Sequence, residues 1–345
     1  MDVFEVLDGG LLSTVQDSGR PGYESSGIPW SGAFDNFSYR VGNFLVGNEV
    51  GCQFFSKGPI GDAGLEVTLL GAKFKALANT VVAVTGADMA TTINGKPLPV
   101  WEAVEVEKDD VLEFKTPRFG ARAYIAMAGG IDVPLFLGSR STYVGMGGKV
   151  GGYEGRALKK GDILRSSTPR RPLNELAGRR FRSDLIPAHV KNPVTRWEIG
   201  VIMGPQDYLI EDKSVEDFLK SDWKVAPAAD RGGYRYRGPQ LLFKPRPDYL
   251  VKAAGFDPSN IVCDANAIPG SIQVPGGLEA IFLAVDGPTM GGFAKIATVA
   301  VANVSMVAQT KTGDITRWVP ISTEEAAKIS DENEKKLHEH NIQRT

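Results

Sequence analysis

The chain has 345 residues, of which 42% are hydrophobic and 23% are charged, and its formal net charge is −2. This balance is ordinary for a soluble globular protein and gives no electrostatic basis for binding nucleic acid or an anionic membrane. The length favours two domains over one. No basic stretch followed by an apolar core opens the sequence, and no apolar run is long enough for a bilayer, so we expect a cytoplasmic protein.

Short β-type runs bounded by Gly, Pro, Asn or Asp recur along the chain and predict a mainly β fold with a few short helices. The clearest runs are 81–85, 100–106, 111–115, 122–128, 197–203 and 280–285. Three helices are predicted among them. The first follows Asp35, which can cap it, and stops at Gly47; the second begins at Ser214; the third covers 294–309. The charged segment 323–340 is expected to form a solvated terminal helix.

A weak internal echo predicts two related domains. Each half begins with an Asp-Arg-Gly-Tyr type of loop, at 17–23 and at 230–234, and each closes with a Gly-Asp turn into a last strand. We therefore predict tandem β-barrels over 1–168 and 196–322, a Pro- and Arg-rich linker over 169–195, and a charged helical tail over 323–345. Chance similarity in a glycine-rich sequence is the alternative explanation of the echo.

Histidine and cysteine are too few for the common catalytic and zinc sites. His189 lies in the predicted linker, and His338 and His340 lie in the tail, so no Ser-His-Asp or Cys-His arrangement is expected. Cys52 and Cys263 are far apart in sequence, and we expect no metal site. The chemistry must then rest on carboxylates, arginines, hydroxyls and backbone amides, or on groups from a partner.

Four polar, glycine-rich segments are the candidate sites: 14–20 with 31–35, the loop 139–142 with Arg156, the pair 230–231, and 272–277 with 289–293. As candidate catalytic arginines, Arg20, Arg140 and Arg231 can bind a carboxylate, carbamate or phosphate through two hydrogen bonds. Asp17 or Asp35 can orient such an arginine or accept a proton, and either can equally cap a turn or a helix. The candidate substrate-binding residues are Ser31, Ser139, Thr142, Arg156, Gln273, Thr289, Gly291 and Gly292.

One acidic residue stands apart from these segments. Glu66 is a lone acid in the otherwise apolar strand pattern 64–71. Because one face of an antiparallel sheet is commonly solvated, we expect Glu66 to face solvent.

Ordered motifs along residues 3 to 328 resemble one family. They include Thr14-Val15-Gln16-Asp17-x-Gly19-Arg20, Ser31-Gly32-Ala33-x-Asp35, Leu65-Glu66-Val67-Thr68-Leu69, Ala128-Gly129-Gly130-Ile131-Asp132-Val133-Pro134, Gly270-x-Ile272-Gln273-Val274-Pro275 and Gly291-Gly292-Phe293-x-Lys295. The set resembles the allophanate-hydrolase subunit 2 family, whose members are also called KipA-like proteins or C subunits of 5-oxoprolinase. That family corresponds to the carboxyltransferase domain of biotin-dependent urea carboxylase.

The resemblance implies tandem cyclophilin-like β-barrels that act with a partner resembling allophanate-hydrolase subunit 1 or KipI. It implies one of two activities: carboxyl transfer from carboxybiotin to urea or a related amide, or ATP-dependent opening of 5-oxoproline to glutamate. A LamB/YcsF-like subunit would join the second activity, and a biotin carboxylase with a biotin carrier would join the first. ATP or carboxybiotin would be supplied with these partner subunits. The alternative is a non-catalytic regulatory protein that sequesters a KipI-like kinase inhibitor.

Two segments depart from the family pattern. Residues 285–289 read Val-Asp-Gly-Pro-Thr and lack the arginine that members often carry there, and Pro275 is followed by Gly276-Gly277 instead of a polar residue and glycine. Both changes fall where substrate contacts are expected, so the substrate need not be urea or 5-oxoproline.

Overall fold

The computed structural model describes residues 1–54, 56, 58–145, 149–253, 255–266 and 269–344, with the backbone alone of 261–266. The chain forms two compact units. Unit 1 consists of Met1–Arg20, Ser31–Pro193 and Glu332–Thr345, and unit 2 consists of Pro21–Trp30 and Val194–Asp331. Each unit therefore takes in a short stretch of chain from outside its main span.

The strands of unit 1 up to residue 193 are β1 (Asp2–Asp8), β2 (Leu12–Gln16), β3 (Gly64–Thr68), β4 (Lys73–Ala76), β5 (Thr80–Asp88), β6 (Thr92–Ile93), β7 (Lys96–Pro97), β8 (Ala103–Val106), β9 (Val111–Glu113), β10 (Phe119–Met127), β11 (Ile163–Arg165) and β12 (Arg179–Phe181). The helices in the same stretch are α1 (Asn36–Leu45) and α2 (Leu173–Leu176). One sheet has the order β11-β1-β4-β9-β6-β7, and another has the order β2-β3-β10-β5-β8.

Strand β10 explains how unit 1 is layered. Alternate residues Ile125 and Met127 enter the apolar core that includes strands of both sheets. Ala126 and Ala128 belong instead to a second cluster with Val41 of α1. Because both faces of β10 are covered, residues 123–127 of this strand are apolar without alternation.

Unit 2 contains β13 (Trp197–Met203), β14 (Trp223–Ala229), β15 (Gly233–Arg237), β16 (Asn260–Asn266), β17 (Ser271–Gln273), β18 (Ala280–Leu283), β19 (Met290–Phe293), β20 (Lys295–Val299) and β21 (Ile315–Pro320). Its helices are α3 (Asp212–Lys220), α4 (Asp248–Ala253) and α5 (Val301–Gln309), and after them come α6 (Thr323–Lys336) and β22 (Ile342–Arg344). Seven strands close a barrel in the order β13-β20-β17-β18-β15-β14-β21, while β16 and β19 form a separate pair. Phe218 of α3 stacks on Trp318 of β21, with ring centroids 5.9 Å apart.

The prediction of a mainly β fold with a few short helices is confirmed. The helix predicted after Asp35 is also present, since the Asp35 carboxylate accepts a hydrogen bond from Ser38 N at 3.0 Å and Asp35 is the N-cap of α1. Within the described ranges, no helix combines the length and the apolar character needed to cross a membrane.

Three local predictions were wrong. Residues 295–299 of the predicted third helix are strand β20, because they pair with β13 and β17 in the barrel. Ser214 is not a helix cap: α3 begins at Asp212, and the Ser214 hydroxyl accepts a hydrogen bond from Leu242 N. The terminal segment is not wholly solvated, because residues from Glu332 onward pack on unit 1.

Candidate functional site

The first candidate segments come together around Asp17 in unit 1. The Asp17 side chain is fully buried and accepts hydrogen bonds from Ser139 Oγ at 2.7 Å, Ser141 Oγ at 2.5 Å, Gly19 N at 2.8 Å and Arg140 N. Burial raises the pKa of Asp17, and these hydrogen bonds partly offset that rise. We call Asp17 and its four donors the Asp17 cluster. Its contacts tie the end of β2 to the loop 139–142.

Arg20 and Thr142 extend this cluster. Arg20 is fully buried, donates a hydrogen bond to the Ser141 carbonyl, and lies 5.6 Å from the centroid of the Phe136 ring. A side chain at Gly151 would stand 2.1 Å from that same carbonyl oxygen, so the turn requires glycine, at φ +67°. Thr142 Oγ1 donates to the Val15 carbonyl at 2.9 Å, which fastens the loop to β2.

Ser31 approaches the same region through its neighbour Gly32. A Cβ at Gly32 would lie 2.8 Å from Gly19 N, and Ala33 N donates to the Asp17 carbonyl at 2.8 Å. Ser31 itself is buried with a left-handed φ of 57°. Within the part of the chain that the structure describes, its hydroxyl has no hydrogen-bond partner.

The remaining candidates of unit 1 have partners of a structural kind. Asp35 accepts hydrogen bonds from the amide and hydroxyl of Ser38 at the start of α1. Arg140 Nε donates to the Val133 carbonyl at 3.1 Å. Arg156 makes two hydrogen bonds to Asp162, at 2.6 and 2.9 Å, and these raise the pKa of Arg156.

Glu66 does not face solvent, contrary to the sequence-based expectation. Its side chain is 1% exposed, accepts hydrogen bonds from Phe34 N at 2.9 Å and Tyr124 Oη at 2.7 Å, and pairs with Arg122 at 3.5 Å. Burial keeps the pKa of Tyr124 well above its usual range, so its hydroxyl remains a donor. The reason for the error is that both faces of β3 are covered in the structure. Glu66 thereby holds the backbone that leads into α1.

His189, which the sequence places in the predicted linker, is half-buried in the structure. It lies in the short 3₁₀ turn Ala188–Val190 of unit 1. Burial lowers the pKa of His189, and the charge of Asp35 acts in the opposite direction. In the sequence, the apolar residues on both sides of it, Ile186 and Val190, indicate that this position is partly covered.

In unit 2, Arg231 forms a buried ion pair with Asp286. The distances are 2.8 Å from Nε to Oδ2 and 3.1 Å from Nη2 to Oδ1. Both side chains are at most 4% exposed. Arg231 lies two residues before Gly233, which pairs with Leu283 at the end of β18. Gln273 pairs with a different residue of β18, Ile281. The ladder therefore does not bring Arg231 against Gln273.

Gln273 lies beside a buried lysine that the sequence-based selection of candidates did not include. Gln273 of β17 pairs with Lys295 of β20, and the two are 5% and 1% exposed. Lys295 Nζ donates to the Phe293 carbonyl at 3.3 Å, while Lys295 N donates to Gln206 Oε1 at 3.0 Å. Among the described residues, Gln273 Nε2 has no acceptor within hydrogen-bonding distance. We call Gln206, Gln273 and Lys295 the Lys295 cluster.

The glycine-rich segment borders the Lys295 cluster in sequence and in the fold. Gly291 and Gly292 lie in β19, which ends at Phe293, the residue whose carbonyl accepts from Lys295. Thr289 directly precedes this strand and is half-buried. A lone lysine in the apolar run 293–299 was the signal that could have identified Lys295.

The two clusters offer different chemistry. In the Asp17 cluster the carboxylate already accepts four hydrogen bonds, whereas the Lys295 cluster contains a buried amide donor and, on the paired residue of the next strand, a buried lysine. Such donors stabilise negative charge on an oxygen atom of a ligand. In the ranges that the structure describes, no three His, Cys, Asp or Glu side chains are grouped so as to hold a metal ion.

Known proteins are similar to this one along nearly the whole chain. Residues 26–320 match the family model described as carboxyltransferase domain, subdomain A and B. The urea amidolyase of Lachancea kluyveri is 36% identical over 337 residues, which cover 95% of this chain and 17% of that protein. The C subunit of the 5-oxoprolinase of Escherichia coli is 31% identical over 333 residues, which cover 96% of each chain.

The fold is similar to a solved structure as well. The crystal structure of the Kluyveromyces lactis urea carboxylase matches with a TM-score of 0.87 and 34% identity, covering 99% of this chain and 30% of that one. This chain spans about a sixth of the length of the urea amidolyase it matches and nearly the full length of the matching 5-oxoprolinase polypeptide.

Proposed function

Because the chain belongs to the family of carboxyltransferase domains with subdomains A and B, we propose that it is one component of an enzyme assembly that acts on an amide. Two kinds of relative support this proposal. One is named as a subunit, and in the other the matching region is a minor part of a much longer enzyme. In both cases further polypeptide accompanies the region that resembles this chain.

The observation that carries the proposal is the buried amide group of Gln273 beside Lys295. A buried donor without an acceptor costs free energy in the folded protein, and a ligand oxygen at this position would recover that cost. Low exposure also strengthens any hydrogen bond or charge interaction made there. We assign Gln273 Nε2 and the Lys295 ammonium group to the carbonyl or carboxylate oxygen of the substrate, with Gln206 fixing the backbone of Lys295.

Two reactions fit such a site, since both place negative charge on an oxygen of an activated amide. We propose carboxyl transfer to an amide nitrogen first, because the urea amidolyase is the more similar in sequence, at 36% against 31% identity. The second candidate is ATP-dependent hydrolysis of a lactam of the 5-oxoproline type. It is favoured by the match in length to the 5-oxoprolinase relative.

Neither reaction is complete within this chain in our proposal. A KipI-like subunit would be the common partner, and carboxybiotin or ATP would come with it or with further subunits. When bound, such a group supplies the carboxyl or phosphoryl group that activates the amide. Gln273 and Lys295 suit the oxygen atoms that both groups carry. The regulatory alternative draws no support from the relatives named above, whose names are those of enzymes.

The experiment is to purify the chain with its partner subunits and to compare the wild type with Gln273→Ala. The assays are ATP hydrolysis that depends on 5-oxoproline, and carboxylation of urea or another amide by a biotin-carrying assembly. Loss of one preorganised donor should lower kcat about 100-fold. The complex should still assemble, because Gln273→Ala removes side-chain atoms only and leaves the backbone pairing of β17 with β18 and β20 unchanged.

Gln240→Ala is the matched control, since Gln240 is an exposed glutamine of the same unit. It should leave turnover unchanged. A Gln273→Ala complex that turns over at the wild-type rate would remove the Lys295 cluster from the reaction. A tight complex with no turnover of any amide would instead favour the regulatory alternative.

A further inference from the structure

The end of the chain, beyond residues 26–320 that match the family model, packs on a surface of unit 1 that we call the groove. We call residues 332–344 the C-terminal strap. Its strand β22 pairs antiparallel with β12, from Arg179↔Arg344 to Phe181↔Ile342. Leu337 and Ile342 pack against the apolar cluster that contains Phe37 and Val41 of α1. The floor of the groove is thus formed by α1, and β12 forms one edge.

Two buried arginines of the groove take their carboxylates from the strap. Arg40 makes two hydrogen bonds to Glu334, at 2.5 and 2.6 Å, and Arg179 makes two to Glu339, at 2.7 and 3.2 Å. The arginine side chains are 6% and 1% exposed, whereas the glutamates are 44% and 59% exposed. The cations therefore belong to the body of unit 1, and the anions are delivered by the strap.

The arginines are held in place without the strap. Arg40 Nε donates to the Gly51 carbonyl at 2.7 Å, and Arg179 Nη2 donates to the Phe44 carbonyl at 3.0 Å. Both guanidinium groups are thereby fixed with two donors directed toward the strap. This is a preformed pair of clamps for carboxylates.

Besides these ion pairs and the apolar contacts, Lys336 Nζ lies 5.5 Å from the centroid of the Phe37 ring, and Arg182 N donates to the Asn341 carbonyl at 3.1 Å. Of its residues only Asn341 is buried, and β22 is three residues long. Segments of this kind open locally more easily than a core strand does. An opened strap leaves Arg40 and Arg179 without their carboxylate partners and exposes both guanidinium groups to solvent. A segment that replaces the strap restores these contacts only if it brings two suitably spaced carboxylates and an extended backbone.

From this we infer that the groove is a peptide-binding surface specific for an acidic, strand-forming segment, and that the C-terminal strap is its resident occupant. Recognition combines strand addition to β12 with carboxylate binding by Arg40 and Arg179. The kind of partner that the surface fits is a segment with two glutamates spaced like Glu334 and Glu339, followed by an apolar residue. Such a segment would compete with the strap for the groove.

The test uses the full chain with E334Q/E339Q, which weakens the strap and leaves both arginines, and a labelled peptide of residues 332–345. We expect the peptide to bind this variant at least tenfold more tightly than it binds the wild-type chain, whose groove is occupied. A peptide with glutamine at 334 and 339 should lose that binding. A peptide with glutamine at the exposed Glu332 should keep it. A folded variant that does not distinguish the two-glutamine peptide from the native one would overturn the inference.

Hydrogen exchange of the wild-type chain tests the same inference without a variant. The amides of β22 should exchange at least tenfold faster than those of β10, because the strap opens locally. Equal rates would show that the strap leaves only when unit 1 unfolds, and would refute a displaceable occupant. A dimer of the wild-type chain that E334Q/E339Q dissociates would assign the groove to the strap of a second copy, and would overturn the intramolecular assignment.

Discussion

Replacement of Asp17 tests whether this residue holds the loop 139–142 in place or takes part in the reaction. In the Asp17→Asn variant, one carboxylate oxygen becomes an NH₂ group of similar size. Asp17 Oδ1 accepts from Gly19 N and from the hydroxyls of Ser139 and Ser141, so the amide oxygen should remain at that position. The new NH₂ group then faces Arg140 N, which is itself a donor. The half-buried backbone N–H of Arg140 thereby loses its acceptor.

The size of the effect follows from the direction of the pKa shift. Burial outweighs the hydrogen bonds and raises the pKa of Asp17, so removal of the charge recovers at least as much free energy as the weaker hydrogen bonds lose. What remains is the unsatisfied N–H of Arg140, and a group of that kind costs about 1–3 kcal/mol. We therefore expect Asp17→Asn to lower the free energy of unfolding of unit 1 by about 1–3 kcal/mol.

The raised pKa of Asp17 also predicts how the stability of unit 1 depends on pH. A carboxyl group whose pKa is raised in the folded state adds stability below its unfolded pKa of 3.8, and this contribution disappears as the pH rises through the folded pKa. The stability difference between wild type and Asp17→Asn should therefore widen as the pH falls toward 3.8. The opposite trend would mean that the ionised form is favoured in the folded protein.

The assay is native-state hydrogen exchange of the β10 amides, which reports the opening of unit 1 alone. Asp132→Asn is the control, because Asp132 is an exposed aspartate of the same unit, and it should change stability by less than about 0.5 kcal/mol. If Asp17→Asn leaves unit 1 as stable as the wild type and yet abolishes turnover of the assembled enzyme, Asp17 is a reacting group and our reasoning is wrong.

Other positions give equally direct predictions. Glu66→Gln leaves Arg122 buried without a carboxylate and should destabilise unit 1 by about 3–5 kcal/mol in urea unfolding, and a loss below about 1 kcal/mol would contradict the buried pair. In the unfolded wild type His189 gains a proton near pH 6.5, whereas in the folded protein it does so only at lower pH. The free energy of unfolding of the wild type should therefore fall from pH 7 to pH 5, and His189→Gln should flatten this pH dependence. Gly151→Ala should destabilise unit 1 by more than about 1 kcal/mol, because the new Cβ meets the Ser141 carbonyl at a positive φ.

Local signals in the sequence were sufficient where the structure depends on near neighbours. Helix α1 was predicted from Asp35 at its start and Gly47 after its end, and both act within one turn of the helix. Residues 295–299 have an equally plausible helical spacing, yet they form β20, because partners in β13 and β17 decide their conformation. Pairings between strands distant in sequence cannot be derived from the spacing of apolar residues in one segment.

Contacts between residues that are distant in sequence also explain why the prediction for Glu66 was wrong and why Lys295 was not among the candidates. The burial of Glu66 depends on Tyr124 and Arg122, which are more than fifty positions away in the chain. The segment 14–20 and the loop 139–142 were predicted as separate candidate segments, and the structure brings them together through Asp17, Ser139 and Ser141. Lys295 was missed because its importance lies in its cross-strand neighbour Gln273 and not in its own segment.

Hydrogen-bond saturation is what distinguishes the two clusters as sites for a ligand. A group that is satisfied within the protein can bind substrate only by giving up a partner, whereas an unsatisfied buried group gains one. The Asp17 carboxylate has four donors, and the Arg231 guanidinium is paired with Asp286, so a ligand there would have to compete with the protein. Among the described residues, Gln273 Nε2 and the Ser31 hydroxyl near the Asp17 cluster both lack a hydrogen-bond partner, but Gln273 also pairs across the strands with the buried Lys295. For this reason we expect a substrate analogue to protect β17 and β20 from hydrogen exchange more strongly than β2, and protection of β2 alone would transfer the site to the Asp17 cluster.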